Sequence, residues 1–241
     1  MLIIVQQALK FFYYTEYKRY MKMSSRSGRS SRKARFITGF FLLVLITAGY
    51  AFSVFVVDNA FSEVVPGLVY RSAQPSPDRL VRWIKRYHLR TILNLRGPNA
   101  PMAPEEKIAA EKAGCSVIYV EISAFKQIPR DKLLRLIRVL ETAEKPMLLH
   151  CRSGVDRSGT ASALAGWLLG GESYYDARWR AYVPPGPWKT RKGGRHISSV
   201  FTDYENFCRK RNLNPDDFER FRRWADKFYR PVVICNLDKA G

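Results

Sequence analysis

The chain has 241 residues, 46% of them hydrophobic and 13% aromatic, which excludes wholesale disorder and leaves enough length for one domain with a real core. Lys and Arg number 41 against 21 Asp and Glu, a formal net charge of +20, and a field of that sign favours anionic partners: phosphate esters, acidic lipid surfaces or nucleic acid. The four cysteines, Cys115, Cys151, Cys208 and Cys235, match neither a CxxC nor a zinc spacing, so no metal site is expected and a domain of this size does not need a disulfide framework.

Residues 1–35 form a basic tail, with nine Lys and Arg against one acid, Glu16, a net +8 that leaves +12 for the rest of the chain. The stretch before Met23 has no clean period, whereas a start at Met23 gives a short Ser/Arg/Lys segment followed by an apolar run. That run, Phe36 to Val57, is 22 residues without a charge. As a helix it would extend roughly 33 Å, enough for a hydrocarbon core of about 30 Å. Arg and Lys precede it while Asp58 and Glu63 follow it, so the expectation is a transmembrane or signal-anchor helix with a cytoplasmic N-terminus and an exported C-terminal domain, on the periplasmic side of a bacterial inner membrane. Cleavage near Gly49-Tyr50-Ala51 is the alternative reading of the same segment.

Asn59 to Gly67 reads as a linker, and the domain is expected over 64–241. Leu68 to Tyr70 is a short strand, Pro77 to Tyr87 a helix with Pro at its start, and Thr91 to Leu95 a strand stopped by Gly97-Pro98. Pro104 to Ala113 is a helix ended by Gly114, Ser116 to Ile122 a strand, and Pro129 to Thr142 an amphipathic helix. Pro146 to His150 is a strand, and Gly159 to Leu169 an apolar helix. The alternation implies an α/β fold, a mostly parallel central sheet of four to five strands flanked by helices, with extra C-terminal helices at Ser173 to Tyr182, Val200 to Arg211 and Pro215 to Tyr229. Trp179 and Trp224 sit at helical positions suited to the core. Val183 to Gly194 is a Pro/Gly/basic loop.

The chemistry is concentrated in His150-Cys151-Arg152-Ser153-Gly154-Val155-Asp156-Arg157-Ser158. A loop between strand and helix aims several backbone amides at one point, backed by the positive end of the helix, and so forms an anion site. A cysteine at the start of that loop lies in a field that favours its thiolate. Arg157, six residues on, can bind two phosphoryl oxygens with its planar fork. The Ser158 hydroxyl can bond the sulfur when it must leave, and Gly154 lets the backbone of Arg152, Ser153, Gly154 and Val155 turn closely around a substrate phosphate.

These residues resemble the signature loop of the cysteine-based protein-tyrosine and dual-specificity phosphatases. Gly67 to Pro75 (GLVYRSAQP) and Thr91 to Gly97 (TILNLRG) look like the opening strands of the small bacterial and fungal members, and the resemblance covers residues 64 to 172. It implies a phosphocysteine intermediate formed on Cys151 with Arg157 holding the charge, and no metal or organic cofactor. It also implies that His150 tunes the cysteine rather than acting as a base, and that Gln74 contacts the loop.

The proton donor is less obvious. Such phosphatases carry an Asp on a loop about 30 residues before the cysteine, where this chain has Ser123-Ala124-Phe125-Lys126-Gln127. Glu121 lies at the end of the expected strand, and Asp131 suits the first turn of a helix. Asp156, inside the loop as in myotubularin-like lipid phosphatases, is the candidate acid; the alternative is a structural carboxylate that holds the loop or Arg157. Arg71, Arg96 and Arg152 are candidates for the mouth, or equally for surface or supporting positions behind it, and Trp188 to His196 for a basic headgroup-binding loop or a solvated one. The function expected is hydrolysis of a phosphomonoester, on a phosphorylated protein or a phospholipid or inositol phosphate. A catalytically inactive phosphate-binding module of the same fold is the alternative, and nucleic acid is not expected as a partner.

Overall fold

The structure is a computed structural model that describes residues 29–52, 59–182, 197 and 199–231. The tail before Arg29, the loop from Val183 to Gly194, the basic stretch from Trp188 to His196 and Cys235 lie outside the described residues. The chain divides after Phe52 into two compact units.

In the first unit, Arg29–Phe52 forms one helix, α1, of 24 residues. No charge interrupts it after Arg35, and Phe36, Phe40, Phe41, Leu42 and Leu45 are all exposed on it. Among the described residues no helix is long and apolar enough to cross a membrane; the last part of the expected span, 53–57, is not among them.

The second unit is a five-stranded sheet of order β1-β2-β5-β3-β4. β1 (Ser62–Val65) runs antiparallel to β2 (Val69–Ser72) at the edge. β2, β5 (Met147–His150), β3 (Thr91–Asn94) and β4 (Ser116–Tyr119) are parallel. Edge strand β1 corrects the linker expected over Asn59 to Gly67. Its two outer residues are exposed and only Val64 and Val65 are buried, so four residues carry no readable alternation. Gly67 closes the turn to β2 at φ 68°, where its N–H donates to Glu63 Oε1 at 2.7 Å.

β5 is central and wholly buried, which is why it reads as a continuous apolar run rather than an alternating one. Its side chains still alternate between two layers. Met147 and Leu149 join Leu93 in the larger core, whereas Leu148 joins Ile92 in the smaller one. The smaller core is capped by α2 (Pro77–Tyr87), which supplies Leu80 and Ile84, and by α3 (Ala103–Lys112), which supplies Ala110. α2 starts where the Ser76 hydroxyl accepts from Arg79 N–H, with Pro77 in its first turn.

The larger core packs α4 (Arg130–Thr142), α5 (Asp156–Leu169), α6 (Tyr174–Tyr182), α7 (Ser199–Arg209) and α8 (Phe218–Lys227). Trp167 of α5 meets Tyr174, Tyr204, Phe218 and Phe221 at ring distances of 5.0–6.1 Å. Asp216 ties this cluster together by accepting from Trp167 Nε1 and from Tyr174 N–H. Trp224 lies in the core as expected, but Trp179 is 68% exposed, because the packed face of α6 is supplied by Tyr174 and Ala177 instead.

Strand register places the functional edge. Ser72, His150 and Asn94 are level partners at the C-terminal ends of three adjacent parallel strands. Loops leaving that edge converge, as at the ligand-binding end of other parallel sheets.

Candidate active site

The loop between β5 and α5 begins with Cys151, 1% exposed, and ends with a helix that starts earlier than the sequence suggests. α5 begins at Asp156 rather than Gly159, so Asp156, Arg157 and Ser158 stand on its first turn. The first intrahelical bond is Gly159 N–H to Val155 C=O at 2.9 Å, and no side chain caps the helix. The three amides ahead of Gly159 thus have no helical acceptor, and together with the helix dipole they favour an anion in front of the loop.

The first turn also returns Ser158 to the cysteine, with Ser158 Oγ 3.4 Å from Cys151 Sγ and both groups buried. Arg157 lines a cleft of about 340 Å³ with Arg96, Glu121, Ile122, Ser123, Ala124 and Phe125. Asp156 is half-buried beside Arg157 but is not among the lining residues. Asp131 is exposed in the first turn of α4, as the dipole reading expected.

The loop is clamped from beneath. Gly154 has φ 67°, and a Cβ there would lie 2.7 Å from Ala73 N, 2.9 Å from Ala60 Cβ and 3.0 Å from Ser72 C. Its carbonyl accepts from Arg71 Nη2 at 2.6 Å. Arg71 is therefore not at the mouth: it is buried at the end of β2 and braces the loop. Gln74 N–H donates to the Arg152 carbonyl at 3.2 Å, the contact with the loop that the resemblance implies. The side chains of Arg152 and Ser153 are exposed.

The tyrosine phosphatase family model matches residues 55–164, which include the whole loop and the strands that carry it. This is a cysteine-dependent phosphatase whose matched segment is similar to the tyrosine phosphatase family. Among solved structures, the core catalytic domain of the PP-IP phosphatase SIW14 from S. cerevisiae, in complex with citrate, is 23% identical with a TM-score of 0.46. That alignment covers 63% of this chain and 92% of that one. TpbA from P. aeruginosa is 20% identical with a TM-score of 0.42, over 67% of this chain and 88% of that one. A putative phosphatase from Shewanella putrefaciens is 17% identical with a TM-score of 0.42, over 47% and 74% respectively. No curated protein matches the chain.

Behind the phosphatase's cysteine lies a polar cluster that sequence reasoning missed. Glu106, on α3, is 1% exposed. One oxygen accepts from Asn94 Nδ2 at 2.8 Å; the other accepts from Gln74 Nε2 at 2.6 Å and lies 2.9 Å from His150 Nε2. Burial alone would raise the Glu106 carboxyl, but His150, Asn94 and Gln74 together outweigh it and hold the group below its ordinary value. The cluster links α3, the ends of β3 and β5, and the segment after β2. It extends to the cleft through Gln74 Oε1, which accepts from Arg96 Nη1 at 2.9 Å. Asn94 also accepts from Arg96 N–H at 2.8 Å. The available signal was weak: a polar residue closing the TILN strand, and two adjacent acids, Glu105 and Glu106, in one helical turn.

The other described cysteines are packing residues. Burial pushes the Cys115 thiol up to about 11 and raises that of Cys208 as well, so neither has the thiolate character of a nucleophile.

Proposed function

We propose that this phosphatase is anchored in a membrane and hydrolyses phosphomonoesters through a phosphocysteine on Cys151. The observation that carries the reading is the Ser158 hydroxyl held beside Cys151 Sγ on the segment that opens α5, whose Arg157 lines a cleft. Cys151 Sγ attacks phosphorus. Arg157 and the loop amides hold the three equatorial oxygens, and water then cleaves the S–P bond while Ser158 supports the departing sulfur. His150 fixes the approach of the cysteine from β5 through its contact with Glu106.

The substrate class follows from charge. Arg96 and Arg157 line the cleft, and Arg152 is close enough to Arg96 to depress its pKa, after burial and Arg157. Three guanidinium groups together suit a substrate with more than one negative charge: a phosphorylated lipid headgroup, an inositol phosphate or a phosphotyrosine in an acidic protein segment. Anchoring is supported by the 22 uncharged residues from Phe36 to Val57 and by the apolar side chains that α1 exposes. Their basic N-terminal flank supports an exported catalytic domain.

The purified domain should release phosphate from phosphoinositides, phosphatidylglycerophosphate, inositol phosphates or phosphotyrosine peptides. Cys151→Ser should abolish turnover and retain vanadate binding, and Arg157→Lys should lose about 10²-fold or more, because Lys lacks the fork. Full turnover by Cys151→Ser would refute the thiolate mechanism; phosphate binding without any turnover in the unaltered chain would assign the inactive binding module instead. A reporter fused after residue 241 that is active only in the cytoplasm would refute the exported topology.

A further inference from the structure

The family reading requires a proton for the leaving oxygen, and the segment Ser123 to Gln127 that lines the cleft contains no acid. One carboxylate nevertheless faces the cleft. Glu121 lies two residues beyond β4, on backbone that still runs beside the end of β3: Val120 N–H donates to Asn94 C=O and Ile122 N–H to Leu95 C=O. This pairing holds Glu121 on the rim, where it lines the same cleft as Arg157 and Arg96.

Room for the Glu121 side chain is made by a glycine. Gly97 has φ 94°, and a Cβ there would sit 2.8 Å from Glu121 Cδ, 2.9 Å from its Oε2 and 3.0 Å from its Cβ. The carboxyl group thus lies over bare backbone at the exposed rim of the cleft. The charged groups facing it across the cleft are Arg96, beyond β3, and Arg157, on α5. Among the described residues it forms no hydrogen bond or ion pair, so it is not committed to a structural partner. Asp156, by contrast, is absent from the cleft lining.

We propose that Glu121 is the proton donor of the reaction, a role that rests on the phosphocysteine reading above. As the Cys151 sulfur forms its bond to phosphorus, the bond from phosphorus to the ester oxygen breaks, and that oxygen takes the proton of the Glu121 carboxyl. In the second step the Glu121 carboxylate accepts a proton from water. The water oxygen bonds to phosphorus, the S–P bond breaks, and the thiolate and inorganic phosphate are released.

The test compares leaving groups. Glu121→Gln should lose about 10²-fold or more in kcat/KM with phenyl phosphate, whose leaving oxygen needs the proton, and less than about tenfold with p-nitrophenyl phosphate, whose leaving group does not. The descending limb of its pH profile should disappear, while the thermal midpoint should stay that of the unaltered chain because the side chain is exposed. Glu121→Asp should restore part of the phenyl phosphate rate and the limb. Equal losses on both esters, or a retained descending limb, would overturn the assignment. So would Asp156→Asn reproducing the leaving-group pattern in place of Glu121→Gln. Turnover by Cys151→Ser would instead refute the phosphocysteine reading itself, a separate failure.

Discussion

Gly154→Ala probes whether the anion loop depends on its backbone conformation. The residue has φ 67°, a region that costs an L side chain about 1–2 kcal/mol. The new methyl carbon would also sit 2.7 Å from Ala73 N and 3.0 Å from Ser72 C, and these are backbone atoms that cannot swing aside as a side chain could. Overpacking of that kind costs about 1–3 kcal/mol. The two contributions give a destabilisation of about 2–5 kcal/mol, or a fall in Tm of about 4–20 °C for a domain of this size. Part of the strain can be relieved by lifting the loop off β2, which would lengthen the 2.6 Å bond from Arg71 to the Gly154 carbonyl and misplace the amides relative to Cys151. Turnover should then fall by about 10²-fold, the effect of misplacing catalytic groups by about 1 Å. Differential scanning calorimetry and steady-state hydrolysis of p-nitrophenyl phosphate measure the two effects. An alanine variant with unchanged Tm and unchanged kcat/KM would refute the claim that the loop is held against β2 by the absence of a side chain.

Ser158→Ala removes the hydroxyl 3.4 Å from the sulfur without touching Arg157; hydrolysis of the phosphocysteine should slow by about tenfold or more, so rapid mixing should reveal a burst of alcohol followed by slow turnover, and a steady rate with no burst would contradict this role. Glu106 is held below its ordinary value of 4.5 by His150, Asn94 and Gln74, in spite of burial. The stability it contributes is therefore fully present above that pH and lost as the pH falls through the folded value below it. In Glu106→Gln the thermal midpoint should be lower near neutrality, and its decline as the pH falls below 4.5 should be shallower than in the unaltered chain; parallel decline of the two midpoints would refute the linkage.

Local features of the chain determine much of this protein. A charge-free stretch, an apolar strand, a Gly-containing loop and a helix are properties of neighbouring residues. They sufficed to single out Cys151 and Arg157 as neighbours in one strand-to-helix motif, and to indicate a mostly parallel sheet from alternating strand and helix patterns. Tertiary structure decided whatever depends on segments far apart in sequence. Glu105 and Glu106 share one helical turn, yet Glu106 alone is buried against Asn94, Gln74 and His150. Arg71, which the sequence left open between the mouth and a supporting position, is turned under the loop by its place at the end of β2. Strand β1 exists because β2 offers it a partner, not because Ser62 to Val65 shows a period. The carboxylate that meets the cleft is Glu121, since Gly97 leaves space above the end of β3. A side chain's chemistry is written in the sequence, but which charged groups come to lie together is set only when the strands are placed side by side.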